Sequence, residues 1–189
     1  QSIDNIINNI KGADEIWDYD SLNVTFLEWH GIKVDKVVPM LYSANLATIV
    51  PNDNPEFDVL FYGSFNDRRV KIIADLTRVL YGKIKFAWIF GEPDMGRYVA
   101  NSKVVLNLHP MEPWNRQEQT RLFFPVINGK TNITEVSQQN NMPGEVIETA
   151  IDELPSTILR VCGSDEWQTF GLQAREKFKE RTRNYLLKE

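Results

Sequence analysis

The stretch FDVLFYGSFNDRRVKIIADLTRVL, residues 57–80, decides the fold of this chain. Residues 57–62 are mostly apolar, which is typical of a strand that a parallel sheet buries on both faces. Gly63 stands where that strand ends, and residues 66–81 show the periodicity of a helix. The stretch therefore predicts a strand, a tight turn and a helix in immediate succession.

The same alternation of short apolar runs and helical segments continues along the chain. Such a rhythm predicts β-α-β units and hence a parallel sheet. We expect an α/β protein with a Rossmann-like parallel sheet, helices on both faces, and a short N-terminal β-α-β segment. The predicted strands are 13–17, 34–39, 57–62, 84–90, 103–108 and 130–134, and the predicted helices are 2–11, 20–30, 66–81, 94–101, 115–127, 145–151, 155–162 and 165–187.

One internal boundary is visible. Residues 43–56 are rich in Asn, Asp and Pro and lack periodicity, which indicates a loop or linker. It separates an N-terminal segment, 1–42, from a larger domain, 57–189. In that domain Pro125 requires its helix to kink or to end early. The apolar residues of the last helix predict a buried stripe of Trp167, Phe170, Leu172, Ala174 and Phe178.

The bulk composition excludes several classes of protein. A net charge of −5 and an isoelectric point of about 5.2 argue against a non-specific nucleic-acid binder, which would be basic. With one cysteine and two histidines, we expect no internal disulfide and no metal site. The sequence shows no membrane span and no visible signal peptide, so we expect a cytoplasmic protein.

The turn after residues 57–62 is a candidate anion site. Gly63, Ser64 and Asn66 lie at the predicted start of a helix, and Arg68 and Arg69 fall in its first turn. A helix N-terminus attracts anions and disfavours cations, so two arginines there indicate that an anion or a carboxylate lies nearby. Arginine forms forked bonds to phosphate oxygens, which makes a phosphate contact attractive.

A purely structural interpretation of this turn stays open. Asn66 or Ser64 could cap the helix, while the arginines are solvated or pair with Asp67 and Asp75. The segment also lacks a Walker A pattern and a full Gly-rich dinucleotide fingerprint, so the motif by itself does not identify the ligand.

A second turn, Phe90-Gly91-Glu92-Pro93, follows the next predicted strand. Both turns lie at the carboxyl ends of strands, where open α/β sheets bind ligands. The backbone here could contact a nucleobase with Phe90 beside it. The alternative is a plain turn with Phe90 in the core.

Residues 106–135 bring further polar side chains to the same edge. His109 follows a strand, Glu118 and Arg121 are three residues apart on a helix, and Glu135 ends a short strand. We expect these four side chains to converge. The alternatives are an ordinary hydrogen-bonded histidine and a simple i,i+3 ion pair, and Asn128-Gly129 is interpreted as a helix stop.

Taken together, these motifs resemble the C-terminal domain of GT-B glycosyltransferases. The resemblance is to the group related to lipopolysaccharide-core and spore-coat sugar transferases, with members in bacteria and large DNA viruses. Upstream, Ile16-Trp17-Asp18-Tyr19 and Asn23 resemble a segment of the same group. The matching residues are Tyr62-Gly63-Ser64, Asn66, Arg68-Arg69, Phe90-Gly91, Ser102-Lys103, Leu106-Asn107-Leu108-His109, Glu118, Arg121, Asn128-Gly129-Lys130 and Glu135.

The resemblance implies a nucleotide-diphosphate sugar donor, most simply a UDP-sugar, and metal-independent transfer to a glycan acceptor without a further cofactor. A complete GT-B enzyme has an N-terminal domain of similar size, so either further domains of a longer polypeptide complete this chain or residues 1–42 take the place of the missing half. The implied catalytic residues are His109, Glu118 and Asp18, with Asp20 as another candidate base. The implied donor-binding residues are Gly63, Ser64, Asn66, Arg68, Arg69, Phe90, Gly91, Arg121 and Glu135.

One departure limits the transfer of roles. The better-known GT-B pattern has two glutamates at a fixed spacing, and Arg116 and Phe124 occupy those places here. That Glu118 and Glu135 take over the roles of those two glutamates is therefore a hypothesis. A non-catalytic nucleotide- or phosphate-binding module is the alternative function. Another Rossmann-like enzyme, such as a methyltransferase or reductase, is disfavoured because its Gly-rich fingerprint is absent.

Overall fold

The computed structural model describes residues 3–91, 94–111 and 116–188. Within it the chain forms two compact units, Gln1–Met40 and Leu41–Glu189. Four positions that belong to predicted elements or turns lie outside the described residues: Ser2, Glu92, Pro93 and Asn115.

The first unit contains a small parallel β-α-β arrangement, as predicted. Its elements are α1 (Ile3–Ile10), β1 (Trp17–Asp18), α2 (Ser21–Trp29) and β2 (Lys36–Val37). Trp17 pairs with Lys36 in parallel register. Each strand has only two residues, far fewer than the predicted 13–17 and 34–39.

The second unit is built on a five-stranded parallel sheet in the order β4-β3-β5-β6-β7. This confirms the predicted fold class. Its strands are β3 (Phe57–Tyr62), β4 (Phe86–Ile89), β5 (Ser102–Asn107), β6 (Thr131–Glu135) and β7 (Ile147–Thr149). Its helices are α3 (Asp67–Val79), α4 (Met95–Ala100), α5 (Gln119–Ile127), α6 (Leu154–Cys162) and α7 (Glu166–Leu186), with short 3-10 turns at Ala44–Leu46 and Ile151–Glu153.

Successive side chains of a strand point to opposite faces of the sheet. The apolar residues of β3 therefore reach both faces, and helices cover each of them. Val59 and Phe61 of β3 join one core, which includes Ile158 of α6. Leu60, between them, joins a second core on the other face, which includes Val99 of α4. All three β3 side chains are at most 1% exposed, so this double burial explains the apolar run at residues 59–61.

The predicted helix at 145–151 is wrong, because this segment contains strand β7. The apolar residues Val146, Ile147 and Ile151 fit helical spacing, but Ile147 instead pairs with Ile133 of β6. The pairing extends the sheet by one edge strand. Contacts between distant segments decide the conformation of so short an apolar run, and its own periodicity does not.

The buried stripe of α7 also differs from the prediction. Leu172 is 48% exposed, and Trp167 is half-buried, whereas Ala174 and Phe178 are fully buried as expected. Gly171 and Thr182 complete the buried side of the helix. The helix therefore contacts the sheet at Gly171, whereas the prediction placed its neighbours Phe170 and Leu172 on the buried side.

Residues 43–56, predicted as a loop or linker, belong to the second unit and are hydrogen-bonded to Asn128 at the end of helix α5. The amide of Ile49 donates to Asn128 Oδ1 at 2.8 Å, and Asn128 Nδ2 donates to the carbonyl of Leu46 at 3.0 Å. The amide of Tyr42 donates to Thr182 Oγ1 at 2.7 Å. The segment therefore lacks regular structure apart from its 3-10 turn, yet it is held by specific hydrogen bonds.

Replacing Gly171 with alanine should lower the free energy of unfolding by about 1–3 kcal/mol, as overpacking does. A Cβ at this position would lie 2.2 Å from the carbonyl oxygen of Gly129 and 2.9 Å from the amide nitrogen of Thr131. This clash outweighs the gain in helix propensity of about 1 kcal/mol. Urea unfolding measures the difference, with the exposed Gln173→Ala as the control on the same helix. Equal or higher stability of Gly171→Ala would contradict the close packing.

Candidate functional site

Four of the candidate site residues lie at one edge of the sheet. Gly63 follows β3, Phe90 follows β4, His109 lies beyond the end of β5, and Glu135 ends β6. All four strands are parallel, so these positions share the carboxyl edge, where open α/β sheets bind ligands.

Asn66 begins helix α3, as one of the open interpretations proposed. Its Oδ1 accepts a hydrogen bond from the amide of Arg69 at 2.9 Å. The neighbouring arginines are neither solvated nor paired with Asp67 or Asp75. Their partners are glutamates from distant segments, whereas Asp75 pairs with Arg78 at 3.2 Å.

Arg69 lies inside the structure and is only 1% exposed. All five of its N–H groups face acceptors: the Leu108 carbonyl at 3.0 and 2.8 Å, Ser64 Oγ at 3.0 Å and its carbonyl at 3.4 Å, and Glu118 at 2.9 and 3.1 Å. Burial lowers the pKa of the guanidinium, and Glu118 opposes that shift. Arg69 therefore ties the turn after β3 to β5 and to Glu118, and it has no N–H left for a ligand.

Arg68 forms a forked ion pair with Glu135. The distances are 2.6 Å from Nη2 to Oε1 and 2.9 Å from Nη1 to Oε2. The Glu135 side chain is 4% exposed and also accepts the amide of His109 at 2.5 Å, while the His109 carbonyl accepts from Arg68 at 2.9 Å. The carboxylate thus fixes the backbone at His109 as well as Arg68.

The imidazole of His109 is buried, with 1% exposure. Its Nε2 lies 3.3 Å from the carbonyl of Val136. A carbonyl only accepts, so Nε2 is the donor in this contact. Among the residues that the structure describes, Nδ1 has no hydrogen-bond partner.

Arg121 is the arginine that reaches the turn after β3. It pairs with Glu118 and lies 3.4 Å from Asn107 Oδ1. A Cβ added at Gly63 would lie 3.1 Å from the Arg121 guanidinium. The absence of a side chain at Gly63 therefore lets the guanidinium lie against the backbone of the turn.

Helix α5 continues to Ile127, two residues past Pro125, so the proline does not end it at once. Proline lacks an N–H, and the carbonyl four residues earlier, that of Arg121, loses its usual donor. The hydroxyl of Tyr62 donates to that carbonyl. Burial raises the pKa of Tyr62, which keeps the hydroxyl protonated for this bond. Tyr62 thereby holds the helix turn that carries Arg121.

A cleft of about 340 Å³ opens beside Arg121. Phe90 is 60% exposed, so the interpretation that places it in the core is wrong. Phe65 stacks on Trp88 at 4.4 Å between ring centroids and meets Phe90 edge-on at 6.0 Å. Phe65 and Trp88 were not among the residues predicted from the sequence, although aromatic residues flank both turns. The cleft is lined by Tyr62, Gly63, Ser64, Ile89, Phe90, Gly91, Met95 and Arg121.

The acidic candidates of the first unit make local hydrogen bonds. Asp18 Oδ1 accepts from the amide of Asp20 at 2.8 Å and from Asn23 Nδ2 at 3.1 Å. Asp20 Oδ1 accepts from the amide of Leu22 at 2.9 Å and caps α2. Both carboxylates therefore shape the start of that helix.

Comparison with known proteins supports the architecture. No family model matches the chain, and a search of curated protein sequences finds no match. Solved structures do match. The fold is that of the GT-B glycosyltransferases. The matches include TarM, with a TM-score of 0.63 at 10% identity, and WaaG, a glycosyltransferase involved in lipopolysaccharide biosynthesis, with 0.56 at 11%.

Another match is HepE from Anabaena in complex with UDP and glucose, with a TM-score of 0.64 at 12% identity. The alignments cover 98% of this chain for TarM and HepE and 92% for WaaG. The chain spans 45% of TarM, 66% of HepE and 60% of WaaG. At these identities the likeness establishes the fold, and the activity is argued from the site.

Two further findings concern residues 3–91, 94–111 and 116–188. None of their helices combines the length and the apolar composition needed to cross a bilayer. In the same part of the chain, no three His, Cys, Asp or Glu side chains cluster in a way that could hold a metal ion. The cytoplasmic location expected from the sequence stays a prediction.

Proposed function

We propose that this chain binds the nucleotide-diphosphate sugar donor of a glycosyltransferase that transfers the sugar to a glycan acceptor. A UDP-sugar is the donor proposed, and the remaining part of the enzyme would come from further domains of a longer polypeptide. The lipopolysaccharide-core and spore-coat group, with its viral relatives, is the proposed relationship within the GT-B fold.

The observation that carries this proposal is the position of Arg121 against Gly63, on the wall of a cleft at the carboxyl edge of the sheet. A diphosphate lying along the Gly63-Ser64 turn would meet the Arg121 guanidinium and the N-terminus of α3. Both are positive, and both suit an anion. When the sugar leaves, negative charge develops on the diphosphate, and this fixed charge would stabilise it.

The other predicted donor-binding residues would act in two ways. Phe90 and Gly91 line the cleft and would contact the nucleobase. Asn66, Arg69 and Glu135 are engaged in caps and ion pairs, so we assign them to positioning the helix start, Ser64 and Arg68. The sequence led us to expect a direct contact of Arg69 with phosphate. We instead assign Arg69 to positioning Ser64, because all of its N–H groups are already bonded.

The catalytic assignments rest on two groups near the cleft and one in the first unit. His109 stays a candidate acid or base, and its imidazole is buried, with 1% exposure. Glu118, with a side chain 26% exposed, could accept hydroxyls through the part of its carboxylate that faces solvent. Asp18 is retained as a candidate base.

One observation favours the second candidate function, a nucleotide-binding module without catalysis. Glu118 is paired with both Arg69 and Arg121, and Glu135 is paired with Arg68. Both carboxylates already accept hydrogen bonds from arginines, which leaves fewer oxygen lone pairs for a substrate proton. Hydrolysis or transfer of a bound donor would distinguish an enzyme from such a module.

A binding panel tests the proposed function directly. UDP-glucose and UDP should raise the midpoint of thermal unfolding, since a ligand at 100 times its Kd adds about 2.7 kcal/mol of stability. UMP should act far more weakly because it lacks the second phosphate, and GDP tests the choice of base. If no nucleoside diphosphate or nucleotide sugar shifts the midpoint at millimolar concentration, the proposal is wrong.

A further inference from the structure

A second cavity, of about 350 Å³, lies at the opposite edge of the sheet. Gly129 and Lys130 line it and directly precede β6, so the cavity is at the amino-terminal edge. Glu135 ends the same strand at the carboxyl edge. The cavity is therefore separate from the cleft beside Arg121, and its interpretation does not depend on donor binding. Pro51, Asp53, Trp167 and Leu172 also line it; we call it the Lys130 cavity.

Lys130 is a buried cation, with 2% of its surface exposed. Its Nζ donates to the carbonyl of Ala100 at 3.3 Å and lies 5.8 Å from the centre of the Trp167 ring. Within the described ranges no carboxylate pairs with it. An ammonium has three N–H groups, and a buried charge without a counter-ion is costly. Burial lowers the pKa of Lys130 to about 8.

Two other charged groups belong to the surroundings of this cavity. Asp53 is a solvent-exposed acid on its rim, and it makes no ion pair with Lys130 among the described contacts. Arg175 of α7 has its Nη1 3.6 Å from the position of a Cβ on Gly129. Arg175 is itself paired with Glu176 at 3.4 Å, so among the described residues that line the cavity the charged ones are the buried Lys130 and the exposed Asp53.

The remaining walls favour a flat apolar body. Trp167 is half-buried, and Leu172, exposed over 48% of its surface, stands beside it on α7. Aromatic ligands stack on an indole, and a carboxylate forms a charge-assisted hydrogen bond with an ammonium. Cavities of roughly 300–1,000 Å³ accept small molecules.

We propose that the Lys130 cavity binds a small aromatic carboxylate. The ring lies against Trp167 and Leu172, and the carboxylate accepts hydrogen bonds from Lys130 Nζ. Such a ligand supplies the counter-ion that the buried ammonium lacks.

Isothermal titration of the chain with 2-naphthoate and 2-naphthamide tests the proposal. The two probes share their ring system and differ in charge, so naphthoate should bind about tenfold tighter or more, as one charge-assisted hydrogen bond predicts. Lys130→Met should remove this preference. The exposed Lys177→Met, on α7, is the matched control and should keep it.

Asp53→Asn is a second variant, and it is expected to strengthen naphthoate binding where Lys130→Met weakens it. Removing the negative charge on the rim should tighten naphthoate binding a few-fold and leave naphthamide unchanged, because like charges repel. This variant and the two probes decide the question even if Lys130→Met fails to fold. Equal affinity for the two probes, no binding at millimolar concentration, or a preference that persists in folded Lys130→Met would each overturn the proposal.

Discussion

Replacing Arg69 with methionine is expected to lower the free energy of unfolding by about 3–5 kcal/mol, the cost of breaking a buried ion pair by removing one partner. The guanidinium is 1% exposed and connects Ser64, the Leu108 carbonyl and Glu118. Methionine fills much of the volume but removes the donor to Ser64 and to the Leu108 carbonyl, and it leaves Glu118 paired with Arg121 alone. Urea unfolding followed by circular dichroism measures the loss.

Arg78→Ala is the matched control, because Arg78 is on the same helix and its ion pair with Asp75 is exposed on both sides. Exposed pairs contribute at most about 1 kcal/mol. If Arg69→Met and Arg78→Ala lose the same stability, Arg69 does not hold the site together. Adding Glu118→Gln to Arg69→Met should cost less than the sum of the single changes, since the two residues share an interaction.

Replacing Arg121 with alanine is expected to weaken the binding of UDP by about 10- to 100-fold, the loss of a forked, charge-assisted contact. Arg121 lines the cleft, and its guanidinium lies against Gly63. Alanine keeps the backbone carbonyl that Tyr62 binds, so the helix turn should persist. Titration calorimetry with UDP and with uridine measures the change, and the affinity for uridine should stay nearly constant.

Arg68→Ala is the informative comparison for Arg121→Ala. Arg68 is held by Glu135 and does not line the cleft, so its loss should weaken UDP binding less. A larger effect at Arg68 would reverse this assignment. An equal loss of UDP and uridine affinity in Arg121→Ala would show that the change disturbed the whole cleft and that Arg121 does not bind the phosphates.

The local pattern around residues 57–80 was sufficient to predict the strand, the turn and the helix, and it offered Asn66 or Ser64 as the cap. Each of these features depends on neighbours in sequence: apolar residues for a doubly covered strand, a glycine at its end, and a capping side chain for the helix. The same reasoning placed Glu118 and Arg121 on one helix face and left their ion pair open as an alternative, and the structure contains that pair.

Predictions that needed distant contacts were less successful. Strand β7 was predicted as a helix, because its register with β6 is set by residues 14 positions away, as in the pairing of Ile133 with Ile147. Leu172 was predicted to be buried, but the close approach of Gly171 to Gly129 turns that leucine outward. Periodicity shows which residues can be buried together, and packing decides which of them are.

The sequence by itself determined the parallel α/β architecture of the second unit and the edge of the sheet to which its polar residues belong. Both follow from short-range patterns, since strand-end residues of parallel strands must share an edge. Only the tertiary structure decided how the arginines are used. Partners 49 and 67 residues away bury Arg69 against Glu118 and pair Arg68 with Glu135, which leaves Arg121 on the cleft wall. The sequence around a charged helix residue does not identify its counter-ion, because the partner comes from a distant segment that only folding brings near.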